Sequence, residues 1–246
     1  MKVDLNSTKN YYIDRLPALM HDFDRDARKL HSVLVCFMGE EGVESLVSQT
    51  RKEYKELIYE LPFIGGTDPL TRILINATLC LAIYRVATAH GKEVDEVGEM
   101  IYEISKAYLK AYPTFLTRFM GRRNFTKKYQ VKLRKRAAES RLRQYPEGYV
   151  YDYIEGDGVT FDYGVDYIEC ASCKLFTKKG ASEFAPYLCP VDILYSYALG
   201  WGLKRTKTLA QGDTVCNFRF KKGGKTQVAV PESMINVVAQ SKVLWP

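Results

Sequence analysis

The chain has 246 residues, 46% of them hydrophobic and 26% charged, long enough for one large domain or two modest ones and too apolar for disorder to dominate. The net charge of +7 is unevenly placed: from Arg118 to Arg143 eleven Lys or Arg face a single acid, Glu139, so that segment carries +10 and the remainder −3. The basicity is therefore one patch and not a property of the whole fold.

Met1 to Asn10 is polar and carries no apolar stretch of signal-peptide type, so a cytoplasmic location is expected. From Val43 the apolar positions Val43, Leu46, Val47, Tyr54, Leu57, Ile58 and Leu61 follow the spacing of one buried helical stripe, which Pro62 and Gly65-Gly66 then stop. Leu70 to His90 is apolar nearly all round, with Gly91 where a left-handed C-cap belongs. Its most apolar part, Ile73 to Ala89, is interrupted by Asn76 and Arg85; it reads as a core helix, too short in uncharged length to span a bilayer, so no membrane partner is expected. Val94, Val97, Ile101, Ile104 and Tyr108 make the next stripe. A basic helix from about Phe125 to Arg143 should turn Phe125, Tyr129, Leu133 and Ala137 inward and its cations outward.

The texture changes at Pro146-Glu147-Gly148. Tyr149 to Ile154 and Thr160 to Ile168 read as a hairpin across Gly156-Asp157-Gly158. A helix is expected from about Pro186 to Gly200, then strands over Leu203–Leu209 and Val215–Phe220 turned at Gln211-Gly212-Asp213. The expected fold is α+β: a helical N-terminal layer, 1–145, on a C-terminal antiparallel sheet with a strand-strand-helix-strand-strand unit, 146–246. The apolar helix at 70–90 needs cover on several sides, which favours one continuous structure.

Six cysteines are present. Cys36 and Cys80 lie in apolar helical surroundings and read as core packing. Cys170, Cys173, Cys189 and Cys216 all fall in the second half. Four thiolates opening on C-x2-C could wrap zinc, although the second C-x2-C of the strong pattern is replaced by lone cysteines. The bland alternative is small buried hydrophobes; strict alternation puts Cys216, Phe218 and Phe220 on one strand face. A catalytic alternative has Cys170 or Cys189 as nucleophile and Asp192 as general base or as partner of a substrate cation. Cys189 and Asp192, three apart near a helix N-terminus, would share a face where the helix dipole favours a thiolate. His21, His31 and His90 all lie in the helical half, so a Cys–His dyad would need one brought across. Arg205 is the best clamp for a substrate carboxylate, with Thr206 and Thr208 beside it on the same strand face and Asp213 close in sequence; the alternative is a solvated basic edge strand.

Three runs carry a resemblance: Leu61-Pro62-Phe63-Ile64-Gly65-Gly66; Glu169-Cys170-x-x-Cys173-Lys174-Leu175 with Ala185-Pro186-Tyr187-Leu188-Cys189-x-x-Asp192; and Arg205-Thr206-Lys207-Thr208-Leu209-Ala210-x-Gly212-Asp213-x-x-Cys216-x-Phe218-Arg219-Phe220. They resemble the L-2-amino-thiazoline-4-carboxylic acid hydrolase family. The resemblance implies a hydrolase that adds water at C2 of a 2-amino-thiazoline ring to give a carbamoyl-cysteine, with Cys170, Cys189, Asp192, Arg205, Gly212, Asp213 and Cys216 at motif positions. No cofactor is expected, with zinc on Cys170, Cys173, Cys189 and Cys216 as the alternative. More distantly, the C-terminal pattern resembles the 4-vinyl-reductase-type small-molecule-binding domain, which leaves a non-catalytic binding or sensory module open; Thr208 and Leu203 stand where that domain's sensor versions have a second cysteine and an acid. The partners expected are a small-molecule substrate and, through Arg118–Arg143, an acidic partner or a second subunit; nucleic acid is the less favoured occupant because Phe125 and Tyr129 fall on the inward face.

Overall fold

The computed structural model describes residues 11–66 and 68–241. Four helices, α1 (Leu16–Lys29), α2 (His31–Tyr59), α3 (Pro69–Ala89) and α4 (Val94–Lys110), form the N-terminal layer. The stripe from Val43 to Leu61 is buried at Val43, Leu46, Tyr54, Leu57, Ile58 and Leu61, as the spacing predicts. The helix starts earlier than the stripe and kinks at Gly39, which sits at φ 69° and breaks the helical backbone. Asp68 caps α3 by accepting the Leu70 N–H at 2.8 Å, and Pro69 starts it where a missing N–H costs nothing. Gly91, at φ 83°, ends it. By length and composition alone α3 meets the requirement for crossing a bilayer, which corrects the sequence reading on that count; half of its apolar window is buried in the fold, against α2, α4 and a later helix.

Two further helices, α5 (Thr114–Arg123) and α6 (Lys127–Ser140), lead into the sheet. The segment read as one basic helix from about 125 is thus α6 alone, capped by the Thr126 hydroxyl accepting the Tyr129 N–H. Its apolar side does turn inward: the rings of Phe125 and Tyr129 lie 5.6 and 6.2 Å from that of Tyr163.

The sheet has the order β1-β2-β4-β3-β5, from β1 (Val150–Glu155), β2 (Tyr163–Glu169), β3 (Leu203–Arg205), β4 (Cys216–Phe220) and β5 (Gln227–Val228). Its registers set Tyr153 beside Val165 beside Phe218, and Tyr151 beside Tyr167 beside Cys216. Period-2 alternation therefore gathers Tyr151, Tyr153, Tyr163, Tyr167, Phe218 and Phe220 into one aromatic wall. The other face carries polar pairs such as Arg219–Asp166. The all-antiparallel expectation needs correction: β3 and β5 pair in parallel, Arg205 beside Val228. The chain leaves β4 antiparallel to β3, turns at Gly223-Gly224, and so returns along the far side of β3 in the same direction as it.

Between β2 and β3 the single expected helix is three: α7 (Ala171–Lys178), the one-turn α8 (Ala185–Leu188) and α9 (Val191–Leu199), with α10 (Ile235–Ala239) near the end of the chain. Ala171, Leu175 and Phe176 of α7, with Phe184 and Ala185, belong to the same core cluster as Leu74, Leu81, Val97 and Ile101 of α3 and α4. Gly98 of α4 has no room for a side chain, since a Cβ there would lie 2.5 Å from the Tyr187 ring. The cysteine-bearing elements are in this way seated directly on the helical layer.

Candidate active site

Where β2 ends, Cys170 keeps an extended backbone, φ −116° and ψ 115°, and serves as the N-cap of α7. Its sulfur faces the Cys173 thiol and the amides of Cys173 and Ser172, which pull its pKa below the ordinary thiol value against the opposing effect of burial. Cys173, holding the shared proton, is pushed up. Beside them the Tyr149 hydroxyl and Ser172 Oγ share a hydrogen bond of 2.7 Å, and burial raises the Tyr149 pKa. Glu169 is occupied by Lys174 and, at 2.8 Å, by Arg143.

Asp192, in the first turn of α9, pairs with Arg205 at the end of β3. Arg205 is 1% exposed, whereas the Asp192 side chain keeps 36% of its surface. Arg205 Nη2 also donates to the Cys189 carbonyl at 3.1 Å, and the guanidinium lies 5.0 Å from the Phe218 ring centre. Burial pushes the Asp192 carboxyl up, and Arg205 only partly opposes that shift. The guanidinium keeps its proton because Asp192 faces it, despite its own burial. The exposed edge of Asp192 is thus a carboxylate of raised basicity, held from behind.

The structure brings Cys170, Cys173, Cys189, Cys216, Asp192 and Arg205 into one region, where their charges act on one another. It sorts them in a way spacing did not. The helix dipole does not activate Cys189: burial, the larger effect, raises its pKa to about 12, and its thiol points towards the Ala185 carbonyl. Cys216 is buried and raised to about 11, its sulfur accepting the Leu209 N–H at 3.2 Å. Among the described residues no group of three or more His, Cys, Asp or Glu is arranged to hold a metal ion. Of the other two cysteines, Cys36 is exposed rather than in the core, because it falls on the outer face of α2.

Thr206, Thr208 and Asp213 are held in loop structure. β3 stops at Arg205, so the two threonines do not share a strand face: Thr206 is exposed and Thr208 fully buried. Asn217 takes the amides of Thr206 and Lys207 at 2.9 and 2.8 Å, which bends the chain away from the sheet. Asp213 accepts the Thr208 N–H at 2.8 Å, and Thr208 caps a short 3-10 turn. His21, His31 and His90 are all exposed on the helical layer and none joins the cluster.

Two cavities approach this region. The larger, about 840 Å³, lies within the helical layer and reaches the cluster's elements only at Tyr195, three residues beyond Asp192. The smaller, about 550 Å³, is walled by Ile64, Gly65, Leu70, Arg136, Arg143 and Tyr149, and Tyr149 is the side chain bonded to Ser172 beside Cys170. No thiol of the cluster lines either cavity. Tyr149, Tyr167 and Ser172 were not singled out from the sequence; the alternation of tyrosines along the hairpin was the available signal.

A family profile described as L-2-amino-thiazoline-4-carboxylic acid hydrolase matches residues 72–220, more than half of the chain. The chain belongs to the L-2-amino-thiazoline-4-carboxylic acid hydrolase family. The matched segment runs from α3 to the end of β4 and so contains every member of the Cys170–Asp192–Arg205 cluster. The Leu61–Gly66 run, which also carried the resemblance, lies ahead of it. No curated protein and no solved structure matches the chain. At the family level, then, the chain stands among hydrolases of a thiazoline carboxylate.

Proposed function

We propose that this protein opens a 2-amino-thiazoline-4-carboxylate ring by adding one water at C2, giving a carbamoyl-cysteine. The observation that carries the reading is that a thiol poised as thiolate, Cys170, and the half-open carboxylate of Asp192 both act on Cys189 and Cys216 inside the family-matched segment. The substrate enters as an amidinium, a cation that matches Asp192. The Cys170 thiolate adds to C2; the Asp192 carboxylate carries a proton from the exocyclic nitrogen to the ring nitrogen, and the C2–N bond breaks. Water then adds to the same carbon, Asp192 passing one of its protons to the exocyclic nitrogen, and the Cys170–carbon bond breaks to return the thiolate. The water oxygen stays on the carbon as the carbamoyl oxygen, and the remaining proton, equal to the one the amidinium brought in, goes to solvent. Arg205 acts through Asp192 as a positioning residue rather than on the substrate. Arg136, at the wall of the 550 Å³ cavity, is the cation for the substrate carboxylate, since Arg143 beside it is paired with Glu169.

The test is incubation of purified, metal-analysed protein with 2-amino-thiazoline-4-carboxylate, following the mass of one added water. Turnover in the wild type and none in a folded Cys170→Ser variant is the expected result; an unchanged rate in that variant would remove the thiolate from the mechanism. A second reading, a binding module without turnover, is favoured by one observation: Arg205 and Asp192 neutralise each other, so the buried cluster offers no free cation. Saturable binding of the same compound with no product would establish that reading instead.

A further inference from the structure

α5 packs against the C-terminal end of α9, the end opposite Asp192, and does so through Thr117 and Gly121. The approach is as close as backbone allows: a Cβ on Gly121 would lie 1.8 Å from the Leu199 carbonyl oxygen. With that face inward, the opposite one is thrust into solvent. Phe115 is 77% exposed, Phe119 60% and Met120 53%, and Leu116 and Tyr112 are exposed beside them. The pairs 115/119 and 116/120 are each one helical turn apart, so they form a continuous apolar ridge. Large side chains bared together in this way are not the scatter of single apolar residues found on any surface.

Cations border the ridge. Arg122 and Arg123 end α5, and Lys127 and Lys128 begin α6; all four are exposed, and none has an acid partner among the described residues. This is the side-chain set of an interfacial helix: an apolar face that enters the acyl boundary and Lys/Arg at headgroup level.

We propose that the α5 ridge docks this protein on the surface of a bilayer containing anionic lipid. Charge complementarity selects this occupant. A second copy would bring the same four cations against themselves. A nucleic acid would answer the cations but leave Leu116 and Met120 without an apolar partner. An anionic lipid surface satisfies both the ridge and its rim, and the protein lies on the bilayer without spanning it.

Sedimentation with phosphatidylcholine vesicles, with and without phosphatidylserine, tests this directly. The full chain is expected to pellet with the phosphatidylserine vesicles and to be released at 1 M salt, where the screening length is about 3 Å. Arg122→Gln with Arg123→Gln should lower partitioning roughly thirtyfold, about fivefold per cation removed. Phe115→Ser with Phe119→Ser should lower it by more than about tenfold, and both doubles should keep the wild-type circular dichroism because the side chains lie in solvent. A Phe119→Trp reporter should shift to the blue on binding. The proposal is overturned by absence of pelleting at low salt, or by partitioning that survives loss of both phenylalanines. It is equally overturned by vesicle-independent RNA binding that accounts for the cations, or by a dimer that the Phe115/Phe119 double abolishes.

Discussion

Cys170 and Cys189 stand in similar sequence settings, each just ahead of a helix, and the fold sends them in opposite directions. Cys170 faces two amides and a thiol that favour its thiolate, whereas burial dominates at Cys189. Iodoacetamide should therefore modify Cys170 before any other thiol of the cluster, with a rate that rises with pH to a midpoint below the ~8.5 of a free cysteine. Peptide mapping across a pH series would measure it, and first modification at Cys189 would reverse the assignment. Asp192 carries the second residue-level expectation. Its native pKa stands above the unfolded value, so its contribution to stability is present below the unfolded carboxylate range and is lost as pH rises through the raised native value. Asp192→Asn removes that titration. Measured by urea unfolding, the variant should gain on the wild type as pH is raised from about 4; a pH-independent difference would contradict it. From the sequence the cluster was legible as residue types, since Cys170, Cys189, Asp192 and Arg205 were all named. Their roles were not, because a thiol's pKa depends on burial and on neighbours from three other segments. Arg205 illustrates the gap: a guanidinium that looked free for a substrate is sequestered by its own carboxylate.

At the scale of elements, spacing located α2 and α4 well because each buries a stripe whose period is visible in the sequence, whereas α3 stood out by being apolar all round and α1 was not read from the sequence. Short elements followed less closely. α7 has only eight residues, and its Cys-rich start hid the Ala171, Leu175 and Phe176 face. β3 ends four residues before the expected strand because Asn217 captures the amides of Thr206 and Lys207, a contact between residues about ten apart that alternation cannot register. The α5–α9 contact is likewise a tertiary fact with a sequence cause in one glycine. Gly121→Val should destabilise the protein by about 1–3 kcal/mol, as overpacking does, read as a lowered thermal midpoint. A neutral substitution would mean that the two helices are free to separate.

In the molecule as a whole, the helical layer and the sheet meet through α7 and the Phe184 turn, whose apolar side chains share one cluster with α3 and α4. Expressed alone, residues 146–246 should lack stable tertiary structure, since Phe176 and Phe184, fully buried in the intact chain, would face water. Dispersed amide resonances from that fragment would show instead that the sheet stands by itself. What the sequence by itself determined was the α+β class, the helical stripes, the hairpin of tyrosines, the family motifs and the location of the positive charge. Those are written in period, composition and local order, and they survive whatever the chain packs against. Only the tertiary structure decided which cysteine is poised to react, that Arg205 serves Asp192, that Thr206 and Thr208 belong to a loop, and that α5 turns its phenylalanines outward. Each of these depends on which distant segment excludes water from a side chain, and burial by distant segments has no local signature in the sequence.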